Sequence, residues 1–196
     1  MSDLISLKCP GCSRNLEGEN NSKVFFCRDC NNSFYVYKNT LKEYPLIYME
    51  SRAAQQAQQE MIYFPFWKIA SGYKVYDVEQ KKEHRDERDF YVPAFFIRNI
   101  NYFGDIGYFY MQKSVILSPG QRKKIPIFPA DRGLKEASKY PLMYLYKYES
   151  QKVRGRTFNI NTTHKSFAVV LVPFYKTGTG YVDSILSWEY PSGALI

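Results

Sequence analysis

Apolar residues in this chain fall mainly in short runs or in alternation with polar ones, which is the period of β-strands. Val24-Phe25-Phe26 and Phe34-Tyr35-Val36-Tyr37 read as two short strands flanking a tight turn. From residue 61 the chain turns aromatic, with Tyr63-Phe64-Pro65-Phe66-Trp67, and then mixes bulky and polar residues through Tyr73-Lys74-Val75-Tyr76-Asp77-Val78. Residues 90–97 and 167–176 add two more apolar stretches. Three of these stretches share one form: an apolar strand, a proline (Pro65, Pro93 or Pro173), then bulky aromatics. Proline has no N–H for a ladder, so it marks a strand end, an edge or a bulge. The repeated form predicts three related strands of one sheet that kink at comparable heights, in preference to coincidence in an aromatic-rich chain. Residues 177–180, Thr-Gly-Thr-Gly, predict a turn closing a last hairpin.

Helical patterning is scarce. Residues 49–60 are rich in Ala and Gln behind Ser51, a plausible N-cap, and carry no apolar stripe, which predicts a solvated helical linker. Ile100, Phe103 and Ile106 have helical spacing, against which Gly104 and Gly107 weigh. Residues 131–140 predict a short helix ended by Pro141. The balanced charge run 81–89 reads as a solvated loop between two strands. The predicted class is mostly β (α+β): an N-terminal module over 1–40, a linker over 41–60, and an aromatic-rich β domain with one or two short helices over 61–196.

The chemistry sits in the first module. Cys9-Pro10-Gly11-Cys12 and Cys27-Arg28-Asp29-Cys30 hold all four cysteines of the chain, as two CxxC pairs. Four thiolates at that spacing can close a tetrahedral shell on one metal ion. Pro10 fixes φ at the first turn, Gly11 frees space where the backbone curls, and Asn31 tolerates a left-handed conformation after the second pair. Ser13, after the first pair, is less usual there. Two disulfides would need an oxidising compartment, and the opening Met1-Ser2-Asp3-Leu4-Ile5 is not a signal peptide. A rubredoxin-type iron site uses the same ligands. Over residues 7–38 the pattern resembles the zinc-ribbon (rubredoxin-like) superfamily, which implies structural Zn2+ held by Cys9, Cys12, Cys27 and Cys30. The pairing of such a ribbon with Pro65-Phe66-Trp67 also resembles uncharacterised bacterial zinc-ribbon proteins, a resemblance that implies no activity.

Charge adds one further candidate. The 196 residues carry a formal net charge of +8. Between 113 and 165 there are twelve Lys and Arg against three acids, so the basic excess lies in that stretch. Arg122, Lys123, Lys124, Lys152, Arg154 and Arg156, with Tyr146 and Tyr148 interleaved, are candidate contacts for nucleic acid or an acidic partner. Strand packing is the competing reading of those tyrosines. The longest apolar run, 167–175, is nine residues and holds Pro173, too short to span a membrane. There is no P-loop, GxSxG or GxGxxG, and His84 and His164 are the only histidines. The expectation is a cytoplasmic, non-enzymatic interaction or scaffold protein with a protein partner, no small-molecule substrate and no catalytic residues. Nucleic-acid binding is the alternative.

Overall fold

The computed structural model describes residues 7–38, 40–51, 60–97 and 106–194. The chain is mostly β, with short helices, as its patterning predicts. In chain order the strands are β1 Val24–Cys27, β2 Asn32–Tyr37, β3 Thr40–Tyr48, β4 Met61–Asp77, β5 Lys82–Pro93, β6 Phe158–Lys176, β7 Gly180–Asp183 and β8 Glu189–Pro191. The helices are α1 Ile106–Gln112, α2 Leu134–Ala137 and α3 Tyr140–Lys152. The strand order is β1-β2-β3-β6-β4-β5, with β7 on β6 and β8 on β7. Among the described residues no helix is long and apolar enough to cross a membrane.

The long antiparallel pair β4–β6 is the spine, with β5 on its far side. The three proline-bearing segments are therefore neighbours, as predicted, but the irregularity in the β4–β6 ladder falls between Ala70 and Ser71 and not at the prolines. Pro173 faces Tyr63, Pro65 faces Leu171 and Pro93 faces Phe66, so the prolines lie within a few register positions of one another. Pro65 and Pro173 sit where a neighbouring strand stops, and Pro93 is the last residue of its own strand. Pro65 accepts the Ala94 N–H just past the end of β5, and Pro173 accepts the Ser184 N–H just past the end of β7. At those places no ladder donor is missed. Below the end of β5, Tyr63 exchanges backbone hydrogen bonds with Pro126 and Phe128, so the segment 126–128 takes over that edge.

Burial changes along β4. Residues 63–67 are covered on both faces, and from Lys68 burial alternates with odd positions inward. One face carries Trp67, Ile69, Tyr73, Val75, Val92 and Val169. The other carries Phe64, Phe66, Phe95, Tyr110, Val172 and Phe174. Helix α1 approaches β5 closely because Gly107 lacks a side chain; a Cβ there would lie 2.1 Å from the Tyr91 carbonyl oxygen.

Several expectations are corrected. The charge run 81–89 is not a loop: all but Lys81 belongs to β5. Its acids pair across the sheet's open face, Asp89 with Lys68 at 2.8 Å, Glu83 with Lys74 at 2.5 Å and Glu87 with Lys165. Opposite charges on neighbouring strands stabilise that face, so the run needs no apolar pattern to be a strand. Pro141 does not end a helix but stands in the first turn of α3, where its missing N–H has no intrahelical partner to lose. Tyr144, Tyr146 and Tyr148 therefore lie on a helix and not on a strand. Of the expected linker 41–60, residues 41–48, read as irregular or short strand, form most of β3, and residues 52–59 of the expected helical stretch 49–60 lie outside the described residues. β3 pairs β2 over 40–45 and β6 over 46–48, so one strand runs from the cysteine module into the spine. Of the helical spacing read over 98–112, residues 106–112 form α1 and residues 98–105 lie outside the described residues.

Candidate metal centre

The two CxxC pairs occupy equivalent turns. The first turn is closed by Cys9 N–H to Arg14 O and Leu16 N–H to Leu7 O, both at 2.7 Å. The ladder continues through Glu17 and Phe26, which exchange backbone hydrogen bonds at 2.8 and 2.9 Å. The second turn joins β1 to β2, with Cys27 opposite Asn32 as the last pair. The residue after each pair is left-handed: Ser13 has φ 59° and Asn31 φ 53°. Ser13 thus does in the first turn what Asn31 does in the second, and its residue type hides this. Gly11 is less constrained than its place implies, since a Cβ would meet Cys30 Sγ at an ordinary 3.6 Å.

The four Sγ atoms lie within 4.8 Å of one another. Cys9 and Cys30 are 3.8 Å apart, and Cys12 and Cys27 are 3.5 Å apart. A tetrahedral site with metal–sulfur bonds of about 2.3 Å has edges of about 3.8 Å, so the donor set fits one ion. The leading cysteine of each pair is buried, and the trailing one is half-buried. Leu16, Phe25 and Phe34 pack under the leading pair.

Charge explains what the ion must do. Burial opposes the Cys9 thiolate, but the N–H groups of Cys12 and Gly11 and the neighbouring thiols outweigh it and hold its pKa down to about 7. The Cys12 and Cys9 side chains, with some burial, push Cys30 up to about 12, and burial raises Cys27. One thiolate forms readily and the next are resisted. A divalent cation held by Cys9, Cys12, Cys27 and Cys30 would supply the charge that lets all four ionise. Arg14–Asp29 at 2.9 Å and Arg28–Glu17 at 2.7 Å tie the two turns together at the surface. Such exposed pairs contribute about 0–1 kcal/mol each.

The back of the module rests on the spine. Tyr35 of β2 and Tyr44 of β3 both meet the Trp67 indole edge-on, at centroid distances of 6.0 and 5.3 Å. Lys23 and Val24 donate backbone hydrogen bonds to the Ala130 carbonyl at 2.7 and 3.1 Å. Arg122 donates to the Arg28 carbonyl, next to the second cysteine pair.

The basic candidates do not share one place. Arg122–Lys124 passes the module, where Lys123 N–H donates to the Tyr63 hydroxyl at 3.3 Å. Arg156 instead pairs with Asp77 at 3.0 Å, at the far end of β4. At about 3.3 Å per residue, Tyr63 and Asp77 are separated by on the order of 40 Å. Lys152 pairs with Glu149 at 3.0 Å, and its ammonium lies 4.0 Å from the Tyr148 ring centroid. Arg154 is exposed, as is Tyr146, whose hydroxyl accepts Ile160 N–H at 3.4 Å. Arg132, counted with the basic segment, is buried at 6 % exposure and donates to Pro93 O. His164 is held at both ring nitrogens, by the Ser71 hydroxyl at 2.8 Å and Ser138 O at 2.9 Å. Asp183 is fully buried and accepts from the Tyr110 hydroxyl and from the N–H groups of Ile185 and Leu186. No spacing rule flags Arg132 or Asp183, whose roles depend on tertiary neighbours. Comparison with protein-family models, curated proteins and solved structures finds no match to this chain.

Proposed function

We propose that the protein is a zinc-bearing, non-enzymatic interaction module that docks a partner protein into a larger assembly. The observation that carries this reading is the set Cys9, Cys12, Cys27 and Cys30 gathered from two facing turns, the second on the β1–β2 hairpin whose Tyr35 packs on Trp67. Four protein thiolates leave a tetrahedral ion no open position, so the ion shapes a surface and does not activate a substrate. Zinc suits the donor set, has no redox chemistry to disturb it, and is the ion that the ribbon resemblance implies. Reduced thiolates fit a cytoplasmic setting.

The distance between Arg122–Lys124 and Arg156 weighs against a single nucleic-acid track and in favour of a protein partner. Purification of the tagged full chain from its native host, with and without nuclease, tests the reading. A protein partner retained after nuclease treatment supports it. Loss of every partner on nuclease treatment transfers the function to nucleic-acid binding.

A further inference from the structure

A cleft of about 640 Å³ opens between the back of the cysteine module and the segment carrying α2. Its floor is apolar, made by Phe25, Tyr35 and Val36, with Leu7 at the edge. Its rim carries Lys23, Lys135 and Lys139, all exposed. Glu136, the acid among the lining residues, faces the Arg132 guanidinium at 3.4 Å. Asp131, near Lys23, already accepts the Phe96 N–H at 2.8 Å. Among the described residues, none of the three lysines is ion-paired to a carboxylate. Lys23 is partly offset by Asp131 and lies over the Phe96 ring, 6.0 Å from its centroid, so Lys135 and Lys139 carry most of the rim's free positive charge. An apolar floor under this basic rim complements an apolar side chain flanked by acids.

We infer that this cleft binds an acidic segment of a partner protein, with an aliphatic or aromatic side chain inserted between β2 and α2. This rests on the interaction-module reading and names its surface. The floor decides against a base-stacking site. Phe25 and Tyr35 are only 6 % and 9 % exposed, so neither offers an open ring face to a nucleobase. One wall is the β1–β2 hairpin that carries Cys27 and Cys30, so the cleft's shape depends on the metal. The Tyr35 ring packs against Gly133, where a Cβ would lie 2.8 Å from its hydroxyl, which links that wall to the other.

The test is fluorescence anisotropy on the zinc-loaded full chain at about 50 mM salt, where electrostatic attraction is strong. The probe is a fluorescein-labelled peptide of Asp and Glu around a central Phe-Leu pair. The combined change Lys23→Glu, Lys135→Glu and Lys139→Glu weakens binding by about tenfold or more. The same charge change at Lys82, Lys113 and Lys147 weakens it by less than about threefold. A neutral variant, Lys135→Gln with Lys139→Gln, falls between the two, and circular dichroism checks its fold. Zinc removal with a chelator abolishes binding.

Equal losses at the cleft and control sites overturn the inference, as does peptide binding that survives zinc removal. Tighter binding of an oligothymidylate that is lost with the same three lysines reassigns the cleft to nucleic acid. A gain of about tenfold on deleting residues 1–6 assigns it to the chain's own N-terminus. If the peptide fails while native purification still yields a nuclease-resistant protein partner, the cleft is wrong and the interaction reading stands.

Discussion

The ring of Tyr35 meets the indole of Trp67 edge-on, with interplanar angle 89° and centroids 6.0 Å apart. Tyr35 belongs to the hairpin that presents Cys27 and Cys30, and Trp67 is fully buried in the centre of β4. Loss of the metal should therefore reach the spine. In a Trp188→Phe background, where Trp67 is the remaining tryptophan, chelation is expected to shift indole emission to longer wavelength. Tyr35→Ala should lower stability by about 3 kcal/mol, as removal of a buried ring does. Unchanged emission on metal loss would show that the hairpin and the spine are energetically separate.

Asp183 makes a second prediction. Burial raises its carboxyl above the ordinary range, against the lowering effect of its three donors, Ile185 N–H, Leu186 N–H and the Tyr110 hydroxyl. Asp183→Ala leaves those buried donors unpaired and should cost on the order of 3 kcal/mol in urea unfolding. The sign of the pH effect follows from the raised value. The contribution favours the fold below the unfolded carboxyl pKa, and it is lost as pH rises through the folded pKa. Carbon-detected NMR should show two aspartates titrating above the others, Asp183 and Asp131, whose burial also raises it, and Asp183→Asn should remove one of the two signals. An ordinary titration for all aspartates would contradict this.

Arg132 should behave as a structural residue despite its place in the basic stretch. Its guanidinium reaches Pro93 O at 3.1 Å and lies 5.2 and 4.9 Å from the Phe96 and Tyr140 ring centroids. Lysine lacks the planar fork that stacks on rings while donating sideways. Arg132→Lys should lower stability by about 2 kcal/mol, while Arg154→Lys at an exposed site should change it by less than about 0.5 kcal/mol. Equal midpoints in urea for the two variants would contradict the assignment.

The parts of the fold that are legible in sequence are those written in local chemistry. The four cysteines show their spacing directly, and the prolines mark where a ladder stops, Pro93 at the end of its own strand and Pro65 and Pro173 beside the end of a neighbour. Helix α3 is not legible, since Tyr144, Tyr146 and Tyr148 alternate as a strand would and Pro141 reads as a terminator when it is a starter. β5 is hidden for the opposite reason. Its stabilisation comes from Lys68, Lys74 and Lys165 on other strands, which no local pattern of residues 82–89 can display. Ser13 hides the symmetry of the two metal turns because serine seldom marks a left-handed residue.

The most direct test of the account is metal content. Elemental analysis of the purified full chain should give one zinc per chain with negligible iron, and Cys27→Ser should lose that zinc. A metal-free protein whose cysteines are joined in disulfides would contradict the account at its centre.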